Sequence, residues 1–396
     1  MSVWRQWGLE PIINGSGAVT RLGGAPMPAE VLEAYVQAAA ESVPLDQVQG
    51  LASRVLAEVT GAEAGLVTTG AAASLTLGTA AFLAGLNLAR IEQLPFTAGF
   101  PYEFLVAREQ RNGYDHAVRA AGARLVEVGF NEIVAGAGVR RTELWEYEAA
   151  IGPNTAGILV VHDPHARPPL AEVIGLAHAR GLPVLVDAAG ELPPRENLRR
   201  LIALGADLVA FSGGKALCGP QGTGLLIGKR EWIASAALQM LDLDDHFELW
   251  EPPADLIDRN RLRGLPRHGI GRGFKVSKEQ VLALLTALRR FVALDAPTEQ
   301  RQRLDLLHQL QSLLDGLPGE RRLQIPGDTE GMPLLHVGTG PRAALEVCRA
   351  LRKGSPPIYL GHGLLDQGIL VVNPLHLQAA HLPILARRLR EEIQAA

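Results

Sequence analysis

Between residues 207 and 228 the chain reads Asp207-Leu-Val-Ala-Phe-Ser-Gly-Gly-Lys215-Ala-Leu-Cys-Gly-Pro-Gln-Gly-Thr-Gly-Leu-Leu-Ile-Gly228. Two apolar, strand-like runs flank a glycine-rich turn, and this turn carries Lys215. The chain has 33 arginines but only five lysines. A lysine amine can form a Schiff base with a carbonyl group, whereas an arginine guanidinium cannot. The position of Lys215 therefore favours a covalent role for its amine.

The segments before this stretch alternate between strands and helices. Continuous apolar runs predict strands at 156–162, 183–187 and 207–211, and the segments 170–180 and 197–204 between them have the pattern of helices. This alternation indicates a mostly parallel sheet covered by helices. Elsewhere we predict an irregular arm over the N-terminal 27 residues. Further helices are predicted at 28–42, 49–60, 71–89, 142–151, 277–294, 300–317, 343–352 and 382–395, and further strands at 65–70, 126–128, 334–337 and 369–372.

Composition argues against several classes of function. Of the 396 residues, 47% are hydrophobic and 20% charged, which is typical of a well-packed soluble protein. The net charge of −4 and the lack of a long basic run argue against nucleic acid as a partner. Two cysteines, Cys218 and Cys348, fit a reducing compartment. We find no signal-peptide core and no membrane-spanning run, so we expect a cytoplasmic protein without a membrane partner.

A second informative stretch is Thr68-Thr-Gly-Ala-Ala-Ala-Ser74, where a predicted strand gives way to an alanine-rich helix. Free backbone N–H groups and the positive end of the helix dipole attract a phosphate at such a point. The residues that would cradle it are Thr69, Gly70, Ala71 and Ala72. A tight strand–helix turn without a ligand explains this stretch equally well when it is taken alone.

Asp187 ends another predicted strand, where a carboxylate faces the usual ligand crevice of a parallel sheet. Such a carboxylate can pair with the pyridine nitrogen of pyridoxal 5'-phosphate (PLP), which strengthens the ring as an electron sink. Ala189 is small enough to lie under the ring. A helix cap or a structural carboxylate is the alternative for Asp187. Metal ligands of suitable spacing are lacking, so we predict no metal site.

Lys215 follows Ser212 and two glycines, which permit an unusual backbone path close to a cofactor. The hydroxyl of Ser212 can donate to a phosphate, and Lys215 would bind PLP as a Schiff base and then transfer protons. The segment is not a Walker A loop, because the first glycine of that motif would fall on Leu208 or Val209 and Ala216 follows the lysine. A Gly-Gly-Lys segment alone is more often a surface turn.

The order of these three features resembles that of the fold-type I PLP-dependent enzymes. More narrowly, the chain resembles the selenocysteine synthase-like branch, which includes D-glucosaminate-6-phosphate ammonia-lyase. The matching segments are Ile13-Asn-Gly-Ser-Gly17, Gly61-Ala-Glu-Ala-Gly-Leu-Val-Thr-Thr-Gly-Ala-Ala-Ala73, Val186-Asp-Ala-Ala189, Gly205-Ala-Asp-Leu-Val-Ala-Phe-Ser-Gly-Gly-Lys215, Gly219-Pro-Gln-Gly222 and Arg272-Gly-Phe-Lys-Val-Ser-Lys-Glu279.

The resemblance implies an α/β fold of the aspartate aminotransferase-like type, with a mostly parallel sheet in a large domain and a smaller C-terminal α/β domain. We accordingly expect an N-terminal arm and helix at 1–48, a large PLP-binding domain at 49–275, and an interdomain helix with the small domain at 276–396. The resemblance also implies a homodimer or a higher homo-oligomer.

The resemblance further implies roles for residues outside the three features. Arg272 and Lys275 would bind an anionic group of the substrate. The alternative is a solvated helix N-terminus, where two cations are mildly unfavourable. Asn14 and Arg21 would line the substrate pocket. His116 lies where this branch often places a group near the ring face, although a histidine on a helix surface is the alternative.

The C-terminal part departs from the family pattern. The branch often has an arginine soon after its Pro-x-Ile/Val segment, but this chain has Gly361 and His362 there. Arg342 and Arg352 are expected on helix surfaces. The departure affects the residues that would select the substrate.

These features together predict an enzyme acting on a small amino acid or amino sugar acid. We expect an external aldimine, an α-carbanion and β-elimination with release of ammonia. Aminotransferase, racemase and selenium transferase-like activities are alternatives, and so is a non-catalytic binding protein with the same fold.

Overall fold

A computed structural model describes residues 2–130, 141–327, 330–340 and 342–395. The chain divides into two compact units. The large unit holds residues 27–292, and the small unit combines residues 1–26 with residues 293–396. The three-part division with boundaries after residues 48 and 275 stays a prediction.

Strands and helices are numbered in chain order. The strands are β1 (Ile13–Gly15), β2 (Ala64–Thr68), β3 (Glu103–Ala107), β4 (Arg124–Val128), β5 (Thr155–Val161), β6 (Val184–Asp187), β7 (Leu208–Ser212), β8 (Gly224–Gly228), β9 (Arg321–Gln324), β10 (Leu334–Gly338), β11 (Ile358–Leu360) and β12 (Ile369–Val372). The helices are α1 (Val3–Gln6), α2 (Ala29–Ala39), α3 (Leu45–Thr60), α4 (Ala71–Ala84), α5 (Leu88–Gln93), α6 (Asp115–Ala120), α7 (Leu144–Ala150), α8 (Leu170–Ala179), α9 (Asn197–Ala203), α10 (Arg230–Met240), α11 (Lys278–Ala293), α12 (Ala296–Leu313), α13 (Ala344–Lys353) and α14 (Leu382–Gln394).

The large unit is built on a sheet with the strand order β2-β8-β7-β6-β5-β3-β4. The strand pairs from β7 to β4 are parallel, whereas β8 runs antiparallel to both of its neighbours, β7 and β2. The predicted α/β fold with a mostly parallel sheet is therefore confirmed. This topology places the carboxyl ends of β2, β5, β6 and β7, together with the start of β8, on one edge of the sheet.

Helix α4 packs closely against the middle of this sheet. The side chains from Ala73 to Ala84 are buried, so the alanine-rich sequence lies in the interior of the unit. A Cβ atom at Gly78 would lie 3.0 Å from a methyl group of Leu185 and 3.3 Å from one of Leu208. The glycine therefore permits the close approach of α4 to β6 and β7. The N-terminus of α4, which directly follows β2, lies at the edge where β6 and β7 end.

The small unit contains the antiparallel sheet β9-β10-β12 and the parallel pair β1-β11. Leu310, Val347 and Leu385 of its helices share a core with Leu335 of β10 and Ile13 of β1. The prediction of an irregular arm over residues 1–27 is wrong for β1, because this strand pairs with β11. No helix in the described ranges is long and apolar enough to cross a membrane.

Candidate active site

The structure brings the three features of the sequence to one edge of the large sheet. Asp187 is the last residue of β6, and Lys215 follows the end of the neighbouring strand β7 by three residues. Gly224 at the start of β8 pairs with Ser212 on one side and with Thr68 on the other. The turn that begins at Thr69 therefore lies beside the turn that carries Lys215.

The turn at the start of α4 has the geometry of an anion cradle. Gly70 is the N-cap residue and has a positive φ of 94°, which favours glycine. A Cβ atom at Gly224 would collide with the carbonyl carbon of Gly70 and lie 2.6 Å from the amide nitrogen of Ala71, so only glycine fits at that position of β8. The first turn of α4 contains no acidic residue and Ala72 is exposed, so amide groups at the helix start are open to a ligand.

Thr69 connects this cradle to the segment that carries Arg272. Its hydroxyl donates to the carbonyl oxygen of Phe274 at 3.2 Å. The guanidinium of Arg272 forms a salt bridge with Asp242, and Lys275 is exposed. The structure thus places the predicted anion-binding segment beside the cradle, with Arg272 held by a carboxylate of the chain.

Asp187 is a buried carboxylate with little compensation for its charge. It is 7% exposed, and its Oδ1 accepts a hydrogen bond from the backbone N–H of Ala189 at 3.0 Å. Burial raises the pKa of Asp187, while the Ala189 hydrogen bond and the positive charge of Lys215 oppose that effect. Within the described residues, no cation lies within ion-pairing distance of Asp187. A positively charged ring nitrogen would supply the missing partner, so the residue fits the predicted role.

The turn that carries Lys215 is held by its own backbone. The N–H of Gly213 donates to the carbonyl of Thr223 at 2.8 Å, and the N–H of Cys218 donates to the carbonyl of Lys215 at 3.0 Å. Cys218 has a φ of 56°, which is uncommon for a residue other than glycine and is often found at functional sites. The side chain of Lys215 is half-buried, and its amine has no ion-pair partner in the part of the chain that the structure describes.

Two further residues of this edge interact with Asp187 or Lys215. The backbone N–H of His162, which follows β5, donates to the carbonyl of Asp187 at 2.8 Å. The imidazole is 7% exposed; burial and then the positive charge of Arg200 lower its pKa. Glu191 is half-buried, and burial, followed by the negative charges of Asp163 and Asp187, raises its pKa, although Lys215 and Arg200 oppose this effect.

His162, Glu191 and Arg200 are not among the site residues predicted from the sequence. The signal for Glu191 is its position four residues after a carboxylate that ends a parallel strand. Arg200 lies on α9, and only the fold brings its Nη2 within 3.3 Å of Nε2 of His162.

The remaining predicted residues, which are His116, Asn14 and Arg21, lie on other elements of the fold. His116 is exposed on α6, whose Ala117 carbonyl accepts a hydrogen bond from Thr76 of α4 at 2.8 Å, so the histidine is near the first half of α4. Asn14 and Arg21 belong to the small unit. Nδ2 of Asn14 lies 3.0 Å from Nδ1 of His376, and the guanidinium carbon of Arg21 lies 5.9 Å from the centre of the Tyr359 ring.

The fold and this edge define a fold-type I PLP-dependent enzyme. Comparison with known proteins agrees: the family model "SelA: L-seryl-tRNA selenium transferase" matches residues 115–243. A 5'-C-glycyluridine monooxygenase-decarboxylase from Streptomyces sp is 30% identical over 98% of this chain and 91% of its own length. The D-glucosaminate-6-phosphate ammonia lyase of Salmonella typhimurium is 27% identical over 98% and 97%. The chain belongs to the selenocysteine synthase-like branch of this enzyme class.

Solved structures agree with the assignment. A D-glucosaminate-6-phosphate ammonia-lyase structure superposes with a TM-score of 0.80 at 26% identity, covering 100% of this chain and 98% of the other. A cysteine desulfurase from Escherichia coli, at 18% identity and a TM-score of 0.56 over 100% and 99% of the two chains, shares the fold. The predicted class of fold and dependence on PLP are therefore confirmed.

Proposed function

We propose that the chain catalyses PLP-dependent β-elimination, with release of ammonia, from an amino acid or amino sugar acid that carries a hydroxyl or a similar leaving group at Cβ. The observation that carries the proposal is the arrangement at the sheet edge, where buried Asp187 has no cation within ion-pairing distance among the described residues and Lys215 follows the adjacent strand. The Salmonella relative supports the reaction class, because its name describes an ammonia lyase.

Some residues of this sheet edge are proposed to bind the cofactor, and others are proposed to transfer protons. The cofactor supplies an electron sink for the electron pair left at Cα. In the proposal, Lys215 holds the cofactor covalently through Nζ and transfers the proton of Cα. Asp187 pairs with the ring nitrogen and Ala189 lies beneath the ring. Glu191 donates a proton to the leaving group, since burial keeps part of its carboxyl protonated at higher pH than usual.

The phosphate of the cofactor is proposed to bind at the start of α4. Amide groups and hydroxyls would hold it, and His116 would pack against the ring face. The phosphate-binding residues in this proposal are Thr69, Gly70, Ala71, Ala72 and Ser212. The exposed start of α4 supports the proposal, and so does the pairing of Gly224 with both Ser212 and Thr68.

Anionic groups of the substrate are proposed to bind to Arg272 and Lys275, with Asn14 and Arg21 as further substrate-binding residues. The exposed amine of Lys275 and the hydrogen bond from Thr69 to Phe274 support the first pair. Arg272 would exchange the carboxylate of Asp242 for that of the substrate.

We also propose that the enzyme works in the cytoplasm as a homodimer or a larger homo-oligomer. A groove of about 460 Å³ between α2, α3 and α11 is lined mainly by apolar side chains, including Val48 and Leu51. Leu32 and Val36 of α2 are also exposed, and they are close in sequence to residues that line the groove. Burial of such side chains against a second copy is favourable, and light scattering of the purified protein measures the assembly directly.

The first test of this function is spectroscopic. We expect a yellow protein whose cofactor is trapped on Lys215 by borohydride, as located by peptide mass spectrometry. Lys215→Ala should abolish trapping, whereas Lys353→Ala, which removes an exposed lysine of the small unit, should preserve it. A colourless protein that takes up no added PLP would overturn the proposal.

The second test identifies the reaction. Amino acids and amino sugar acids are screened while ammonia and 2-keto acid are measured, and oxygen uptake is recorded in parallel. Equal release of ammonia and keto acid without oxygen uptake is expected. Oxygen uptake with release of carbon dioxide would instead assign chemistry like that named for the Streptomyces relative.

A further inference from the structure

The small unit carries a group of polar side chains on the paired strands β1 and β11. Asn14 of β1 is the direct partner of Tyr359 of β11, and partners in a parallel pair extend from the same face. The guanidinium carbons of Arg21 and Arg352 lie 5.9 Å and 5.2 Å from the centre of the Tyr359 ring. His376 contacts Asn14 through its Nδ1 at 3.0 Å. We call Asn14, Arg21, Arg352, Tyr359 and His376 the Tyr359 cluster.

The two arginines of this cluster lack the ion pairs that three other arginines of the small unit form. Arg303, Arg342 and Arg388 each form a salt bridge with a glutamate. Among the described residues, neither Arg21 nor Arg352 has a carboxylate within ion-pairing distance. Two guanidinium groups near one ring repel each other, while each is attracted to the tyrosine ring.

Several donors of the cluster also lack acceptors in the described part of the chain. Nε and Nη2 of Arg352 are buried without a hydrogen-bond partner, and so is Nε2 of His376. Because Nδ1 of His376 accepts from the amide of Asn14, the ring proton is on Nε2, which makes that atom a donor. Buried donors without acceptors are unfavourable, and an oxyanion would supply several acceptor atoms at once.

The cluster is also open to a solute. Arg21 is exposed, and Arg352 and Tyr359 are half-buried. The prediction that Arg352 lies on a helix surface is therefore incomplete, because its guanidinium packs on a ring of β11. The geometry points to an anion-binding site in the small unit, in which Arg21 and Arg352 together bind the oxygen atoms of a carboxylate or a phosphate group.

This inference rests on the proposed function only for the source of the anion. That source is either an anionic group of the substrate or a free anion in solution. The two sources share the same chemistry of recognition, since planar guanidinium groups bind both carboxylate and phosphate through paired N–H donors.

Binding is tested on the PLP-loaded full-length protein, in which the cofactor already fills its own phosphate site. Inorganic phosphate is titrated at constant ionic strength while the thermal unfolding midpoint is followed. We expect a saturable rise, with the apparent affinity weakened about tenfold or more in Arg352→Gln and in Arg21→Gln. Arg352→Lys keeps the charge but loses the paired donors, and should recover only part of the affinity.

Arg349→Gln is the matched control, because Arg349 is an exposed arginine of the same helix one turn earlier. It should leave phosphate binding and activity unchanged. Equal effects of Arg349→Gln and Arg352→Gln, or no saturable effect of phosphate on the native chain, would overturn the inference. A variant that fails to fold is recognised by the loss of its cooperative transition, and Arg352→Lys then serves in its place.

Steady-state kinetics distinguish an anionic group of the substrate from a free anion as the source. If the anion belongs to the substrate, Arg352→Gln raises KM while kcat changes little, and phosphate competes with the substrate. If the anion is free, phosphate binding is lost without a change in KM and phosphate does not compete. Because the titration needs no turnover, an inactive protein would contradict the proposed reaction without affecting this result.

Discussion

Asp187 ends β6 and Lys215 follows the adjacent parallel strand β7, and the positive charge of Lys215 acts on the buried carboxyl of Asp187. The backbone fixes both positions, Asp187 as the last residue of β6 and Lys215 through the turn that closes on Thr223. In the proposed site, a ring bound covalently to Lys215 and paired with Asp187 would thus be held at two points.

Asp187→Asn should separate cofactor binding from catalysis. The amide keeps the shape of the side chain but cannot stabilise a positive charge on the ring nitrogen, so kcat/KM should fall about 100-fold or more. Cofactor should still be trapped by borohydride. Asp163→Asn, which changes an exposed carboxylate nearby, should have a small effect. Activity close to that of the native protein in Asp187→Asn would contradict the assigned role.

Gly224→Ala should disturb the phosphate cradle. The added methyl group would collide with Gly70 and approach the amide of Ala71, so that turn must shift. We expect PLP affinity to fall about tenfold and unfolding to become easier by about 1–3 kcal/mol. Gly222→Ala is the matched control, because its nearest neighbour would be the amide nitrogen of Gln280 at 3.7 Å. Fluorescence titration with PLP measures both variants, and equal affinities would argue against the cradle.

Glu191→Gln should change the pH dependence of the reaction. Since burial raises the pKa of Glu191, its acid form persists to higher pH, and a reaction that needs this form slows as pH rises through that pKa. The variant should lose roughly 100-fold in kcat and lack this limb of the profile. Glu172→Gln, an exposed change in the first turn of α8, should retain the native profile. An unchanged limb in Glu191→Gln would rule out Glu191 as its origin.

His376 should make the protein less stable in acid. Burial lowers its pKa from 6.5 to about 4, so between these values the unfolded chain takes up a proton that the folded chain does not. The contribution to stability is present above pH 6.5 and is lost by about 1.4 kcal/mol per unit as pH falls towards 4. His376→Gln should flatten this slope in urea unfolding curves, whereas His362→Gln, an exposed change, should preserve it.

The sequence predicts the centre of the large sheet well. Strands β5, β6 and β7 are buried on both faces, so their sequences are continuous apolar runs with clear ends. Strand β3 is equally buried but is missed. Strands β1 and β11 have three residues each, which is too short for a periodic pattern to be recognised.

The same contrast holds for the candidate sites. Asp187 and Lys215 are found because each occupies a fixed place relative to a strand end. The salt bridge of Asp242 with Arg272 and the packing of Arg352 on Tyr359 depend on segments far apart in the sequence that only the fold brings together. Local patterns carry no information about such pairs.

The pairing of Ile13 with Ile358 has a consequence for biosynthesis. During translation the N-terminal strand leaves the ribosome long before its partner exists, while residues 27–292 emerge as one continuous segment. Domains generally fold as units during synthesis, so the large unit can form first and the strand around Ile13 must wait unpaired. Emergence of residues 293–396, rather than emergence of the N-terminus, thus sets the earliest time at which the small unit is complete.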